Sequence, residues 1–86
     1  MEGILGGGDF CIVERNVLRD TAGPGIVLRN VKECIVRGNT IFYPDGPGIV
    51  CENTKNCKVA ENLIIGSRRK VALVGDCKEN LVKENF

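Results

Sequence analysis

Three residue types able to do chemistry recur in this chain at one interval. Cys stands at 11, 34 and 57, Asn at 16, 39, 62 and 85, and Lys at 32, 55 and 78, every step being 23 residues. A column of thiols can bind a soft metal, form disulfides or fill a core as small apolar groups. Stacked neighbours have nearly parallel Cα–Cβ bonds, which argues against a disulfide and for inward core filling. Asn80 stands where a fourth Cys would continue the column and is expected to interrupt it. A column of carboxamides can hold a polar ligand or bond to itself, since each Asn side chain both donates and accepts. Self-bonding at a turn is the expected role of Asn16, Asn39, Asn62 and Asn85, helped by the tolerance of Asn for left-handed backbone angles. Lys32, Lys55 and Lys78 form an outward column, suited to a solvated sheet surface that resists aggregation.

The carboxylates are less ordered. Asp20, Asp45 and Asp76 occupy different places in the interval, Glu33 and Glu79 share one with Asn56 between them, and Glu61 and Glu84 are successive. Glycoside hydrolysis needs two carboxyl groups about 5–9.5 Å apart across one bond. A pair such as Glu61 and Glu84 reads instead as a solvated or salt-bridged ladder. The absence of His removes His-based dyads, triads and Cys/His zinc sites. No catalytic residue, metal ligand or cofactor is therefore expected.

The elements that position these columns follow from the same interval. The chain divides without gaps into 2–24, 25–47, 48–70 and a shorter 71–86, all within one domain, 1–86. The second and third copies share nine of 23 residues. Val13, Val36, Val59 and Val82 recur, as do Leu18, Ile41 and Ile64. Within a copy, Gly48-Ile49-Val50-Cys51 is a short β-branched run, and Asn53-Thr54-Lys55-Asn56 has turn chemistry. Cys57-Lys58-Val59-Ala60 alternates, Glu61-Asn62 turns, and Leu63-Ile64-Ile65 forms a third run. Three short strands per copy, stacked on the next copy, predict an all-β parallel solenoid of about 3.7 rungs. A leucine-rich repeat also fits Val31-x-x-Cys34-x-Val36-x-x-Asn39-x-Ile41. It would need a helical segment next, where the chain has Phe42-Tyr43-Pro44-Asp45-Gly46-Pro47-Gly48.

The pattern Gly-Ile-Val-x-x-Asn-x-x-x-Cys-x-Val-x-x-Asn-x-Ile, at Gly25 to Ile41 and again at Gly48 to Ile64, resembles the right-handed parallel β-helix repeat. Pectin-lyase-like proteins and the NosD-like, carbohydrate-binding and sugar-hydrolase group carry such repeats. The resemblance covers nearly the whole chain and implies the fold more firmly than any activity, because that superfamily holds lyases, hydrolases, epimerases and non-catalytic scaffolds.

Composition bounds the rest. The 86 residues carry 12 Lys and Arg against 11 Asp and Glu, a net charge of +1, which gives no electrostatic case for nucleic acid. No apolar run approaches the ~18 residues of a membrane span. Five Cys, an odd number, with no signal-like opening segment, point to a reducing, cytoplasmic setting. Abundant Lys, Glu, Arg, Val and Ile with no Gln resembles thermophile usage. Two functions fit: a structural module that self-associates, and a carbohydrate-binding module or excised piece of a polysaccharide-active solenoid. Sugar sites favour aromatic platforms, and Phe10, Phe42, Tyr43 and Phe86 form no repeated column. The structural reading is therefore expected, with a homo-oligomer as partner. Neither the Gly6-Gly7-Gly8 opening nor the short last copy reads as a cap. The first strand is apolar at three successive positions, so alternation turns one apolar column outward. Ile4, Val27, Val50 and Leu73 are the expected contact column, with Phe42, Leu63 and Ile65 as a second patch.

Overall fold

The computed structural model describes residues 4–83 and 85–86, apart from 7 and 8, with the backbone alone at 4–6. Among the described residues, eleven strands of three or four residues follow one another without a helix. They are β1 (Ile4–Gly6), β2 (Ile12–Glu14), β3 (Val17–Arg19), β4 (Ile26–Arg29), β5 (Ile35–Arg37), β6 (Thr40–Phe42), β7 (Ile49–Glu52), β8 (Lys58–Ala60), β9 (Leu63–Ile65), β10 (Val71–Val74) and β11 (Leu81–Lys83). Each strand pairs in parallel with the strand three places later, giving sheets β1-β4-β7-β10, β2-β5-β8-β11 and β3-β6-β9. The chain thus winds through three full turns and two strands of a fourth. There is no helical segment after Ile41, where a leucine-rich repeat would require one.

Alternation decides which residues face the axis. In the second sheet Val13, Val36 and Val59 point inward, and in the third Leu18, Ile41 and Ile64 do. Ile26, Ile49 and Val71 line the first sheet, with Leu28 and Cys51 beside them. Val31, Cys34 and Cys57 close the corner between the first two sheets. Each buried aliphatic side chain contributes roughly 1.5–3 kcal/mol.

The corners use a device that the sequence hides. Among the described residues, ten other than Gly hold positive φ, and they stack: Phe10, Glu33, Asn56 and Glu79 in one column, Asn30 and Asn53 in another, Asp20 and Tyr43 in a third. Arg15 and Glu61 share a fourth with Gly38. A single left-handed residue turns the chain sharply enough to start the next strand. The Asn ladder residues are not among these. Each follows the left-handed residue, so the backbone tolerance expected of Asn16, Asn39 and Asn62 is exercised one position earlier.

Glycine is required at the entry to the first sheet. A Cβ on Gly48 would stand 2.6 Å from Ile64 Cγ2 and 2.9 Å from the Lys70 carbonyl, and one on Gly25 would stand 2.8 Å from the Gly48 carbonyl. The repeat of Gly25 and Gly48 reflects this close approach of one turn to the next.

The column Ile4, Val27, Val50 and Leu73 does not form. The second and third sheets keep the 23-residue step, but the first steps by 22, 23 and 22. Val27 lies between Leu5 and Val50, Val50 pairs with Ala72, Ile4 pairs with Ile26, and Leu73 pairs with Cys51 on the axial column. The last step is 22 because the turn between β9 and β10 (66–70) is one residue shorter than that between β6 and β7 (43–48). The gap before β11 is one longer and restores the register. Nor is the column a bare stripe: Val27 is 1% exposed, Ala72 5%, and Val50 is half-buried.

Candidate functional site

The polar residues picked out by spacing converge on the corner between the second and third sheets. The left-handed corner at Arg15, Gly38 or Glu61 delivers each Asn side chain into the turn. There Asn16 Nδ2 donates to Asn39 Oδ1 at 3.0 Å, Asn39 Nδ2 to Asn62 Oδ1 at 2.9 Å, and Asn62 Nδ2 to Asn85 Oδ1 at 2.8 Å. Each Oδ1 also accepts the backbone N–H of the Asn one rung earlier, at 3.1, 3.0 and 3.4 Å. The second Nδ2 hydrogen goes to a strand carbonyl of the preceding rung: Val13, Val36 and Val59 receive it from Asn39, Asn62 and Asn85. Asn39 and Asn62 are almost wholly buried, and their bonding capacity is spent within the turn. Among the described residues every buried side-chain nitrogen and oxygen has a partner. A ligand at this column would have to displace the bonds that hold the rungs together.

The Cys column repeats the scheme in sulfur. Cys34 Sγ accepts the Cys11 N–H at 3.3 Å, and Cys57 Sγ accepts the Cys34 N–H at 3.4 Å. The Cys34 and Cys57 thiols donate to the Lys32 and Lys55 carbonyls. Asn80 does not interrupt this column. Its Oδ1 accepts the Cys57 N–H at 3.0 Å, and its Nδ2 donates to the Thr54 carbonyl and hydroxyl. Reading Cys as core filler missed this second duty as an acceptor. The Cys-to-Asn exchange at one position of the repeat was the available signal. Burial raises the Cys34 and Cys57 thiols above the usual range and pushes Cys51 up to about 12. These three stay protonated near neutral pH. Cys77 is half-buried, with its thiol on the Cys51 and Val74 carbonyls.

The charged columns lie outside. Lys32, Lys55 and Lys78 stack through parallel bridges and are exposed, with Lys78 Nζ 3.9 Å from Asp76. Glu14 pairs with Arg37 at 2.8 Å and Arg29 with Glu52 at 2.9 Å. The hydrogen bond from Arg37, aided by its charge, holds the Glu14 carboxyl below the ordinary carboxylate range. Glu33 and Glu79 are exposed on the corner shared with Asn56, Glu61 is exposed beside Gly38, and Glu84 lies outside the described residues. Among the described residues no three Cys, Asp or Glu side chains gather in a metal-holding group.

Among the described residues, apolar side chains are left exposed on the last rung, at Leu73, Val74, Leu81 and Val82, and on the outer face of the third sheet. Val17, Thr40 and Leu63 form one column across it, and Arg19, Phe42 and Ile65 the other. Val17 is 65% exposed and Leu63 42%, with Ile65 also exposed and Phe42 half-buried. Arg19 lies over the Phe42 ring at 4.6 Å, and exposed Tyr43 continues the face. Of the two patches named from sequence, the one containing Phe42, Leu63 and Ile65 lies on this surface.

The family model described as "right handed beta helix region" matches residues 2–86. Neither the curated proteins nor the solved structures returned a match.

Proposed function

We propose that this chain, which belongs to the right-handed β-helix family, is a non-catalytic structural module that self-associates through the outer face of its third sheet. The carrying observation is the exposure of Val17, Leu63 and Ile65 on one regular sheet face, where Thr40 lies between Val17 and Leu63 and Phe42 lies beside Ile65. Apolar side chains grouped on the surface of a small protein mark a contact site. A second copy fits this face. The face is flat and built from repeating columns, and its one cation, Arg19, is already drawn onto Phe42. A two-fold axis would set these columns against themselves with Arg19 the one charged side chain among them. The Asn and Cys columns support a structural role, because their donors and acceptors join rung to rung.

Val17→Lys with Leu63→Lys tests the proposal. Both side chains point outward, so the solenoid should persist while the dimer or higher oligomer separates. Tyr43 is the feature that favours the second reading, a sugar platform, because its ring is exposed at the end of β6. A glycan array that finds a ligand for monomeric wild-type protein, lost in the Lys variant, would move the function to carbohydrate recognition. The Val27→Lys and Val50→Lys pair is not a substitute, since Val27 is buried and a charge there would unfold the first sheet.

A further inference from the structure

We propose that Cys11 and Cys34 are an oxidisable pair that closes to an inter-rung disulfide on reaction with a low-molecular-weight disulfide of the glutathione class. Their sulfurs stand 2.6 Å apart across successive turns, and neither is in a disulfide. They lie immediately before the paired residues Ile12 and Ile35 of a parallel ladder, and the Ile35 N–H bonds to the Cys11 carbonyl at 2.9 Å. Neighbouring parallel strands are spaced about 4.8 Å, which falls inside the Cα separations that disulfides adopt, about 4.4–6.8 Å. Side-chain rotation has already brought the sulfurs together despite the parallel Cα–Cβ bonds.

Access makes the pair directional. Cys11 is half-buried in the first rung, whereas Cys34 is sealed in the core. Burial and the neighbouring Cys11 thiol raise the Cys34 thiol above its ordinary range. Cys11 is therefore the group the reagent meets. Its thiolate attacks one sulfur of the disulfide, a Cys11–glutathione bond forms, and one glutathione thiolate leaves. Cys34 then attacks Cys11 Sγ, its proton passing to the departing glutathione sulfur. The Cys11–Cys34 bond forms as the second glutathione leaves. The two protein thiols lose two electrons and two protons, and the reagent disulfide gains them as two thiols. The other half-buried sulfur, Cys77, lies against the Cys51 and Val74 carbonyls and the Thr54 hydroxyl. It would keep a glutathione adduct.

The test uses the whole reduced chain, freed of reductant, treated with oxidised glutathione at mildly alkaline pH and digested with trypsin after alkylation. Cleavage after Arg15, Lys32 and Arg37 places the two cysteines on peptides 1–15 and 33–37. The expected product joins these peptides, lighter by about 2 Da than their sum. In Cys34→Ser, Cys11 should instead stop at the glutathione adduct. The proposal fails if wild-type Cys11 accumulates as that adduct while Cys34 stays alkylated. It fails equally if both remain thiols or if Cys34 links to Cys57. Because the wild-type peptides decide, the result does not depend on how well the Ser variant folds.

Discussion

Asn39→Ala removes the middle of the carboxamide ladder, and the bonds around it set the size of the effect. Four side-chain hydrogen bonds go: two accepted by Oδ1 from Asn16, and two donated by Nδ2, to Val13 O and Asn62 Oδ1. Two side-chain partners keep other bonds. Asn62 Oδ1 still receives the Asn39 N–H, and Asn16 Nδ2 still reaches the Glu14 carbonyl. The Asn16 N–H loses its bond outright, while the Val13 carbonyl loses one of two and keeps the Arg37 N–H of the parallel ladder. A stranded buried group costs about 1–3 kcal/mol, so with one group stranded and three further bonds lost Asn39→Ala should cost about 2 kcal/mol. Asn85→Ala removes three bonds, but at a half-buried residue where water can stand in. It should cost about 1 kcal/mol. Urea melts followed by circular dichroism measure both. Asn39→Asp should fall below Asn39→Ala, because a carboxylate accepts the Asn16 donors but turns negative charge toward the Val13 and Asn62 oxygens. Equal midpoints for Asn39→Ala and Asn85→Ala would refute a load shared along the column.

Gly48→Ala should cost about 2 kcal/mol, since its Cβ would meet both the Ile64 side chain and the Lys70 carbonyl; an unshifted melt would show that the rungs are not packed this closely there. In the folded, reduced protein Cys11 and Cys77 should alkylate quickly, and Cys34, Cys51 and Cys57 only at the rate of opening. Denaturation should release all five, and rapid labelling of Cys51 would contradict its burial.

What the sequence made legible is what repeats. An unbroken 23-residue step placed Asn16, Asn39, Asn62 and Asn85 in one column and Val13, Val36 and Val59 on the axis, because in-register parallel pairing turns a sequence period into a stack. The first sheet escaped for the converse reason. A one-residue difference between two turns shifts register, and register decides which side chain faces out. Leu73 therefore moved beside Cys51, and the contact column assembled by counting dissolved. Val27 fell for a second reason, since a triplet such as Ile26-Val27-Leu28 shows that one residue points away from the axis but not whether that side is covered. Asn80 was misjudged because residue identity was read where geometry matters: an amide oxygen accepts the Cys57 N–H as a sulfur accepts the one above. The left-handed corners were illegible because they use Arg, Glu, Asp, Tyr and Phe as well as Asn and Gly, residue types with no shared turn preference.

Self-association is the claim most directly open to measurement, by light scattering coupled to size exclusion at high micromolar concentration. Wild-type protein should elute with a mass that is a multiple of 9.4 kDa. Val17→Lys with Leu63→Lys should elute at the single-chain mass with an unchanged far-ultraviolet spectrum. A wild-type mass of 9.4 kDa would contradict the account. So would a Lys variant that remains assembled with its fold intact.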